Sequence, residues 1–231
     1  VQHLSLHSCQ LDYHVDLRVK RCEVLDLSDT IVRDILDMLP NESPVDITRL
    51  QLKGMRLTGK IYAGWKDNRL KEMIDHQRET SPRDKAEQYR ILKENFHQTG
   101  HYTDEDRAYV AFKRMEMRAD LKESINKNPW SGLGAYPAFA FQWLVFDKMG
   151  LYATNPLRVL LSMVVSYLVF ALMYYLLPLF SSAQIIPSTG EEGLSGISVA
   201  LYHSAITFLT IGYGDYYPVG IIRWLCGVEG F

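Results

Sequence analysis

Apolar side chains recur along this chain in three rhythms, and each predicts a different kind of structure. From Leu50 the sequence runs LQLKG, MRLTG, KIYAG, with apolar residues at Leu50, Leu52, Met55, Leu57 and Tyr62 and glycine at 54, 59 and 64. A period of five fits neither the 3.6 of a helix nor the 2 of a strand. It is what a square β-solenoid needs, each five-residue side turning a corner and sending chosen side chains inward. Weaker echoes lie at Leu4, Leu6, Cys9 and Leu11, and again at Cys22, Val24 and Leu27. Residues 1–66 are thus expected to form a right-handed β-solenoid, with an irregular β-rich domain as the alternative.

The second rhythm is helical. Ser81 is placed as an N-cap, Pro82 suits the first helical position and Asp84 the first turn. Ala86, Tyr89, Leu92 and Phe96 then keep helical spacing until Gly100 ends the run. Thr103, followed by Asp104, Glu105 and Asp106, predicts a second helix, its inward face Ala108, Ala111, Phe112, Met115 and Ala119. Residues 67–128 therefore read as a helical hairpin. Residues 129–156 form an aromatic linker in which Phe139, Phe141, Trp143 and Phe146 alternate with small or polar residues, a pattern suited to the headgroup region of a bilayer.

The third rhythm is no rhythm at all. Leu157 to Phe180 carries one charge, Arg158 at its start, and is apolar around its circumference. Twenty such residues at 1.5 Å rise span a hydrocarbon core of ~30 Å, so a transmembrane helix is expected. After a polar loop, Ile197 to Leu209 is apolar but too short to span, and is read as a re-entrant helix. Ile221 to Phe231 starts a further helix. Residues 157–231 thus form an all-α membrane module of outer helix, re-entrant helix and the start of an inner helix.

Charge sharpens this division. The net charge of −2 on 231 residues conceals that 24 of the 25 Lys and Arg residues lie at or before Arg158, the last being Arg223. Basic residues crowd the N-terminal side of the spanning helix, which places the N-terminus in the cytoplasm and Glu191 outside, in a multi-pass protein of the cell (inner) membrane. The near-neutral balance speaks against bulk nucleic-acid binding. Cys9, Cys22 and Cys226 make an odd count without a CxxC pair, as in a reducing compartment. His3, His7, Cys9 and His14 match no zinc spacing. No paired carboxylates, nucleophile with its base, or phosphate-binding Gly-Lys-Ser/Thr motif stands out, so an enzyme is not expected, nor a cofactor. The N-terminal residues lack the basic-then-apolar pattern of a signal peptide, so export of Val1 is not expected, and the run that stops at Phe231 reads as a fragment, expected neither to conduct nor to form a stable tetramer through its pore segment.

The chemistry concentrates in Thr210-Ile211-Gly212-Tyr213-Gly214-Asp215. Non-helical backbone at membrane depth is tolerated where it lines an aqueous path or is buried in protein. Stripping water from a potassium ion calls for oxygen ligands of similar energy, and main-chain carbonyls are strong dipoles without a trapping charge. Aiming consecutive carbonyls at one axis needs backbone angles that glycine adopts freely, hence Gly212 and Gly214. The Thr210 hydroxyl adds a ring of oxygens, and Ile211 and Tyr213 point away from the axis. The re-entrant helix aims its partly negative C-terminus at the cation path.

These six residues resemble the potassium-channel signature TIGYGD, and the module resembles the pore of prokaryotic two-transmembrane-helix potassium channels. The resemblance implies potassium ions held by Thr210, Ile211, Gly212 and Tyr213 as the transported species. It also implies pore-helix support from Thr207 and Tyr202, a lipid bilayer around a homotetramer in the full-length form, and family-typical positions for Arg223 and Glu229. Ile206 departs from it, standing where some prokaryotic channels place a glutamate that pairs with the filter aspartate, so Asp215 needs another partner. No helix carries the arginines of a voltage sensor. The N-terminal segment resembles the pentapeptide-repeat family, which places a small residue two before a central Leu or Phe, although Leu and Met replace the usual Ala and Pro40 and Pro44 interrupt the pattern. Two rivals to a potassium-selective pore are a poorly selective cation channel and a membrane-tethered scaffold with a vestigial pore.

Overall fold

The computed structural model describes residues 1–41, 45–128, 130, 132–188, 194 and 196–230. Pro44, Glu191 and Phe231, which enter the expectations above, lie outside the described residues. The chain divides into two compact units, Val1–Thr154 and Asn155–Phe231.

The first unit opens with nine short strands: β1 His3–Ser5, β2 Gln10–Leu11, β3 Val15–Asp16, β4 Cys22–Asp26, β5 Ile31–Val32, β6 Ile35–Asp37, β7 Ile47–Gln51, β8 Arg56–Leu57 and β9 Lys60–Tyr62. They pair in three parallel three-stranded sheets ordered β1-β4-β7, β2-β5-β8 and β3-β6-β9. This overturns the expected pentapeptide-type solenoid. Three strands recur per repeat rather than four five-residue sides, and no closed solenoid is described. Register gives the reason: His3 lies opposite Val24 and Val24 opposite Arg49, offsets of 21 and then 25 residues, unequal to each other and both longer than one turn of four five-residue sides. After the first strand of each repeat the chain turns on a left-handed residue, Ser8, Asp29 and Gly54 in turn. Leu25, Leu27, Leu36, Leu50 and Leu52 are fully buried between the sheets and the helices that follow, each worth ~1.5–3 kcal/mol relative to exposure.

Helices α1 Leu70–Asp75, α2 Pro82–Gln98 and α3 Tyr102–Lys127 follow. Ser81 caps α2, its Oγ accepting from the Asp84 backbone N at 3.1 Å. Helix α2 covers the exposed end of the strands with buried amides, the kind of cover an unpaired edge requires. Asn95 brackets Ile61, accepting from its N at 2.7 Å and donating to its O at 2.8 Å, and Gln88 accepts from Leu52 N at 2.9 Å. Gly100, at φ 75°, supplies the left-handed turn between α2 and α3. Thr103 does not cap α3; the helix begins one residue earlier, and Asp104 instead accepts from Trp65 N at 3.0 Å and from Arg107 at 2.6 Å. Arg83 ties the hairpin together by pairing with Glu123 and Asp120.

The aromatic linker is helical: α4 Gly132–Gln142 runs into a π-helix over Trp143–Met149. Leu151, Tyr152 and Ala153 then take left-handed backbone in succession.

In the second unit α5 Pro156–Phe180 is the one helix among the described residues long and apolar enough to cross a membrane. Asn155 caps it, accepting from Arg158 N at 3.0 Å. Most of its Leu and Val side chains are exposed, as suits contact with lipid rather than a soluble core. Strand β10 Gln184–Pro187, helix α6 Ile197–Phe208, strand β11 Tyr216–Val219 and helix α7 Ile222–Glu229 complete the unit.

Candidate functional site

The TIGYGD segment sits between α6 and β11, and its ends are pinned. Strands β10 and β11 form an antiparallel ribbon, with Gln184 opposite Val219 and Pro187 opposite Tyr216. Ser188 N donates to Asp215 O at 2.8 Å, extending the pairing by one bond. Helix α6 and the TIGYGD segment thus lie between two strand ends that are fixed to each other. Arg223 donates to Pro218 O at 2.9 Å and holds the start of α7 against the ribbon.

At the other end the chain leaves α6 by folding back on its last turn. Thr210 N donates to Thr207 O and Ile211 N to Ile206 O, both at 2.9 Å, and Gly212 N reaches the same Ile206 O at 3.3 Å. Backbone φ is left-handed at Thr210 (53°), Gly212 (55°) and Gly214 (76°), with Ile211 and Tyr213 between them outside that region. The sequence accounts for the two glycines. Thr210 is the surprise, since a β-branched residue at positive φ costs on the order of 1–3 kcal/mol and persists only where its surroundings impose it. Ile211 and Tyr213 are exposed within one chain, Tyr213 at 70%.

Asp215 finds the partner its position requires. Tyr202, one face of α6, donates its hydroxyl to Oδ2 at 2.5 Å, and the Tyr216 backbone N donates to Oδ1 at 3.1 Å. Tyr202 also meets the Tyr216 ring edge-on, with centroids 5.6 Å apart. Ile206, at the position of the glutamate in some channels, is buried and apolar. Thr207 contributes its carbonyl to the turn below Thr210, while its side chain is half-buried.

On the opposite face of α6 lies a polar cluster that sequence reasoning did not assemble. Glu229 of α7 is 8% exposed and accepts from the Tyr174 hydroxyl of α5 at 2.5 Å, with its other oxygen bonded to the Ser204 hydroxyl of α6. Ser204 has a second acceptor within reach, the Tyr167 carbonyl at 3.1 Å. His203 packs edge-on against Tyr174, 5.1 Å between centroids, and its Nε2 lies 3.1 Å from Cys226 Sγ. Three helices thus meet on one carboxyl group. The signal was present as polar residues inside apolar segments, above all an acid in a helix start whose other charge is Arg223, which in a membrane marks function by default. What the sequence could not supply was that Tyr174, Ser204 and Glu229 converge.

Residues 162–231 match the family model described as "Ion channel". Two curated relatives match the chain, both named Protein LctB. That of Bacillus caldotenax is 36% identical over 63 residues, covering 26% of this chain and 47% of the relative. That of Geobacillus stearothermophilus is 38% identical over 63 residues, with the same coverage. The chain spans about half the length of these curated relatives. No solved structure matches it. The C-terminal unit therefore carries an ion channel domain, and together with the exposed apolar α5 this assigns the protein to a membrane.

Proposed function

We propose that the protein passes potassium ions selectively and passively across the membrane, as a homotetramer whose four copies of Thr210–Asp215 surround one axis. The observation that carries this reading is the alternation of left-handed backbone at Thr210, Gly212 and Gly214 inside TIGYGD, at the end of a short apolar helix. Alternating handedness turns successive peptide groups the same way, so that N–H groups gather on one side and carbonyls on the other. Four such carbonyl rows replace an ion's hydration shell, which one chain alone cannot do. On this reading Thr210, Ile211, Gly212 and Tyr213 supply the potassium ligands. Tyr202 steadies Asp215, Thr207 anchors the turn, and neighbouring subunits cover the exposed Tyr213 and Ile211.

The test is the reversal potential of the full-length protein in bilayers with opposed potassium and sodium gradients. A potential near the potassium equilibrium value is expected. Tyr213→Asp places a charge against the packing of the ring and should move the reversal potential toward zero. A wild-type potential already near zero in those gradients would mean a poorly selective cation pore. Absence of current in protein that is folded and inserted would mean a scaffold with a vestigial pore.

A further inference from the structure

The first unit contains a cavity of about 420 Å³ between α3, the end of α1 and the α4–π-helix segment, within the size range of small-molecule sites. Nothing in the filter chemistry uses it. Its walls are of two kinds. Phe139, Trp143, Met115 and Met117 give an apolar side, while Lys71, Arg114, Arg118 and Lys148 face Asp75 and Asp147 on the other.

The charges do not cancel. Arg114 is spent on Asp147, a carboxylate only 4% exposed, through two bonds to Oδ1 at 2.7 and 2.9 Å. Lys71 is spent on Asp75 at 2.5 Å. Both acids on the wall are thereby neutralised by cations of the wall itself. Arg118, exposed on α3, has no carboxylate within ion-pair distance among the described residues, and Lys148 stands 5.2 Å from the centre of the Trp143 ring. Lys85, alongside, feels the same field. Burial lowers its ammonium below its ordinary value, Asp75 opposes that, and Arg118 adds to the lowering. The π-helix assembles this arrangement: its wider turn, closed by Gly150 N donating to Val145 O at 2.9 Å, sets Trp143, Asp147 and Lys148 on one wall.

A cation is repelled here, and a purely apolar ligand would leave Arg118 unused. A guanidinium fork fits phosphate oxygens in bidentate geometry, and an aromatic wall takes an apolar body. We propose that this cavity binds a phosphate ester carried on an apolar body. The outer side of the same segment points to a source. Leu133, Tyr136, Phe141, Leu144 and Phe146 are exposed, and an aromatic face of this kind settles at the headgroup level of a bilayer, where the phosphate of an anionic lipid is at hand. A soluble organic phosphate has the same chemistry.

The experiment is calorimetric titration of the full-length protein in neutral detergent with dioctanoyl phosphatidic acid, AMP, inorganic phosphate and, as a phosphate-free control, dioctanoylglycerol. Saturable binding of phosphatidic acid is expected, weakened ~tenfold by Arg118→Gln through loss of a charge-assisted bond, and weakened also by Trp143→Leu. Unchanged melting temperatures in both variants would separate lost binding from lost folding. Phosphatidic acid binding at least ten times tighter than AMP supports a lipid source; AMP binding as tightly supports a soluble one. The proposal is overturned if none of the three phosphates binds saturably, if dioctanoylglycerol binds as well as phosphatidic acid, or if both variants bind like wild type. None of these outcomes depends on ion selectivity.

Discussion

Glu229 offers a quantitative test of how the channel unit is held together. In Glu229→Ala, two hydroxyls in a site closed to solvent lose their acceptor: Tyr174, 1% exposed, and Ser204, 0% exposed. A buried hydroxyl left without a partner costs ~1–3 kcal/mol. The two are not equally exposed to that loss. Ser204 can turn fully to the Tyr167 carbonyl at 3.1 Å, so its penalty is largely recovered. Tyr174 has only Cys226 Sγ at 3.4 Å, and sulfur is a weak acceptor. One full penalty plus the cavity left by the side chain gives about 2–4 kcal/mol in total. Glu229→Gln keeps an oxygen for one hydroxyl and should cost about 1 kcal/mol.

The assay is SDS-induced unfolding of the full-length protein, followed by far-UV circular dichroism, for Glu229→Ala, Tyr174→Phe and the double variant. Once the carboxyl is gone the tyrosine hydroxyl has nothing to lose, so the double variant should be more stable than additivity predicts by about 1 kcal/mol. Strict additivity, with Glu229→Ala within about 0.5 kcal/mol of wild type, would refute the claim that this carboxyl joins α5, α6 and α7.

Three further outcomes follow from the structure. With nearly all basic residues ahead of α5, a cysteine introduced at the exposed Ser188 should react with an impermeant thiol reagent on intact cells while Cys9 does not; the reverse pattern would invert the topology. Asn95→Ala strips both backbone groups of Ile61 of their buried partners and should destabilise the first unit by ~2–4 kcal/mol, read by denaturant unfolding; Asn95→Asp, which buries a carboxylate against the Ile61 carbonyl, should cost at least as much at neutral pH. The Arg90 guanidinium holds the Glu87 carboxyl below its ordinary value of 4.5, so the pair's contribution is present at neutral pH and is lost as pH falls below 4.5 through the lowered folded value; Arg90→Ala should make acid unfolding shallower in that window, and identical acid profiles would remove the pair from the account.

How far these features could be read in advance depended on whether their signal was local. The left-handed backbone at Gly212 and Gly214 was legible because the need for it is written in consecutive residues. The spanning helix was legible because length and apolarity suffice. The N-terminal sheets were misread for a specific reason. Leu50-x-Leu52, Gly54, Leu57 and Ile61 repeat Leu25-x-Leu27, Asp29, Val32 and Leu36, and these repeat Leu4-x-Leu6, Ser8, Leu11 and Val15. The true unit is this twelve-residue pattern, but a four-residue difference between successive offsets hides it, and the glycines of the last copy mimic a period of five. Of those glycines only Gly54 is left-handed; Gly59 is instead a close approach, where a Cβ would lie 1.8 Å from Asp34 O. The β10–β11 ribbon was illegible because each strand has four residues, one of them proline, and a stretch that includes α6 separates them in sequence. The Glu229 cluster needs three helices in place before it exists at all.

The departure at Ile206 shows how the two faces of α6 divide their work. Where a glutamate at this position of α6 would place a second acid near Asp215, like charges in one site would have to share a proton or separate. This chain buries Ile206 instead and gives Asp215 a neutral donor, Tyr202. A second acid of the unit stands on the far face of the helix, at Glu229, where neutral hydroxyls from α5 and α6 receive it. Each carboxyl group therefore meets hydroxyl donors rather than another carboxyl, and each has one of those donors on α6, Tyr202 for Asp215 and Ser204 for Glu229. A helix of twelve residues has little stability of its own in isolation. Held by Asp215 on one side, by Glu229 on the other and by the ribbon at its feet, it becomes a fixed platform, and only a fixed platform can impose positive φ on Thr210.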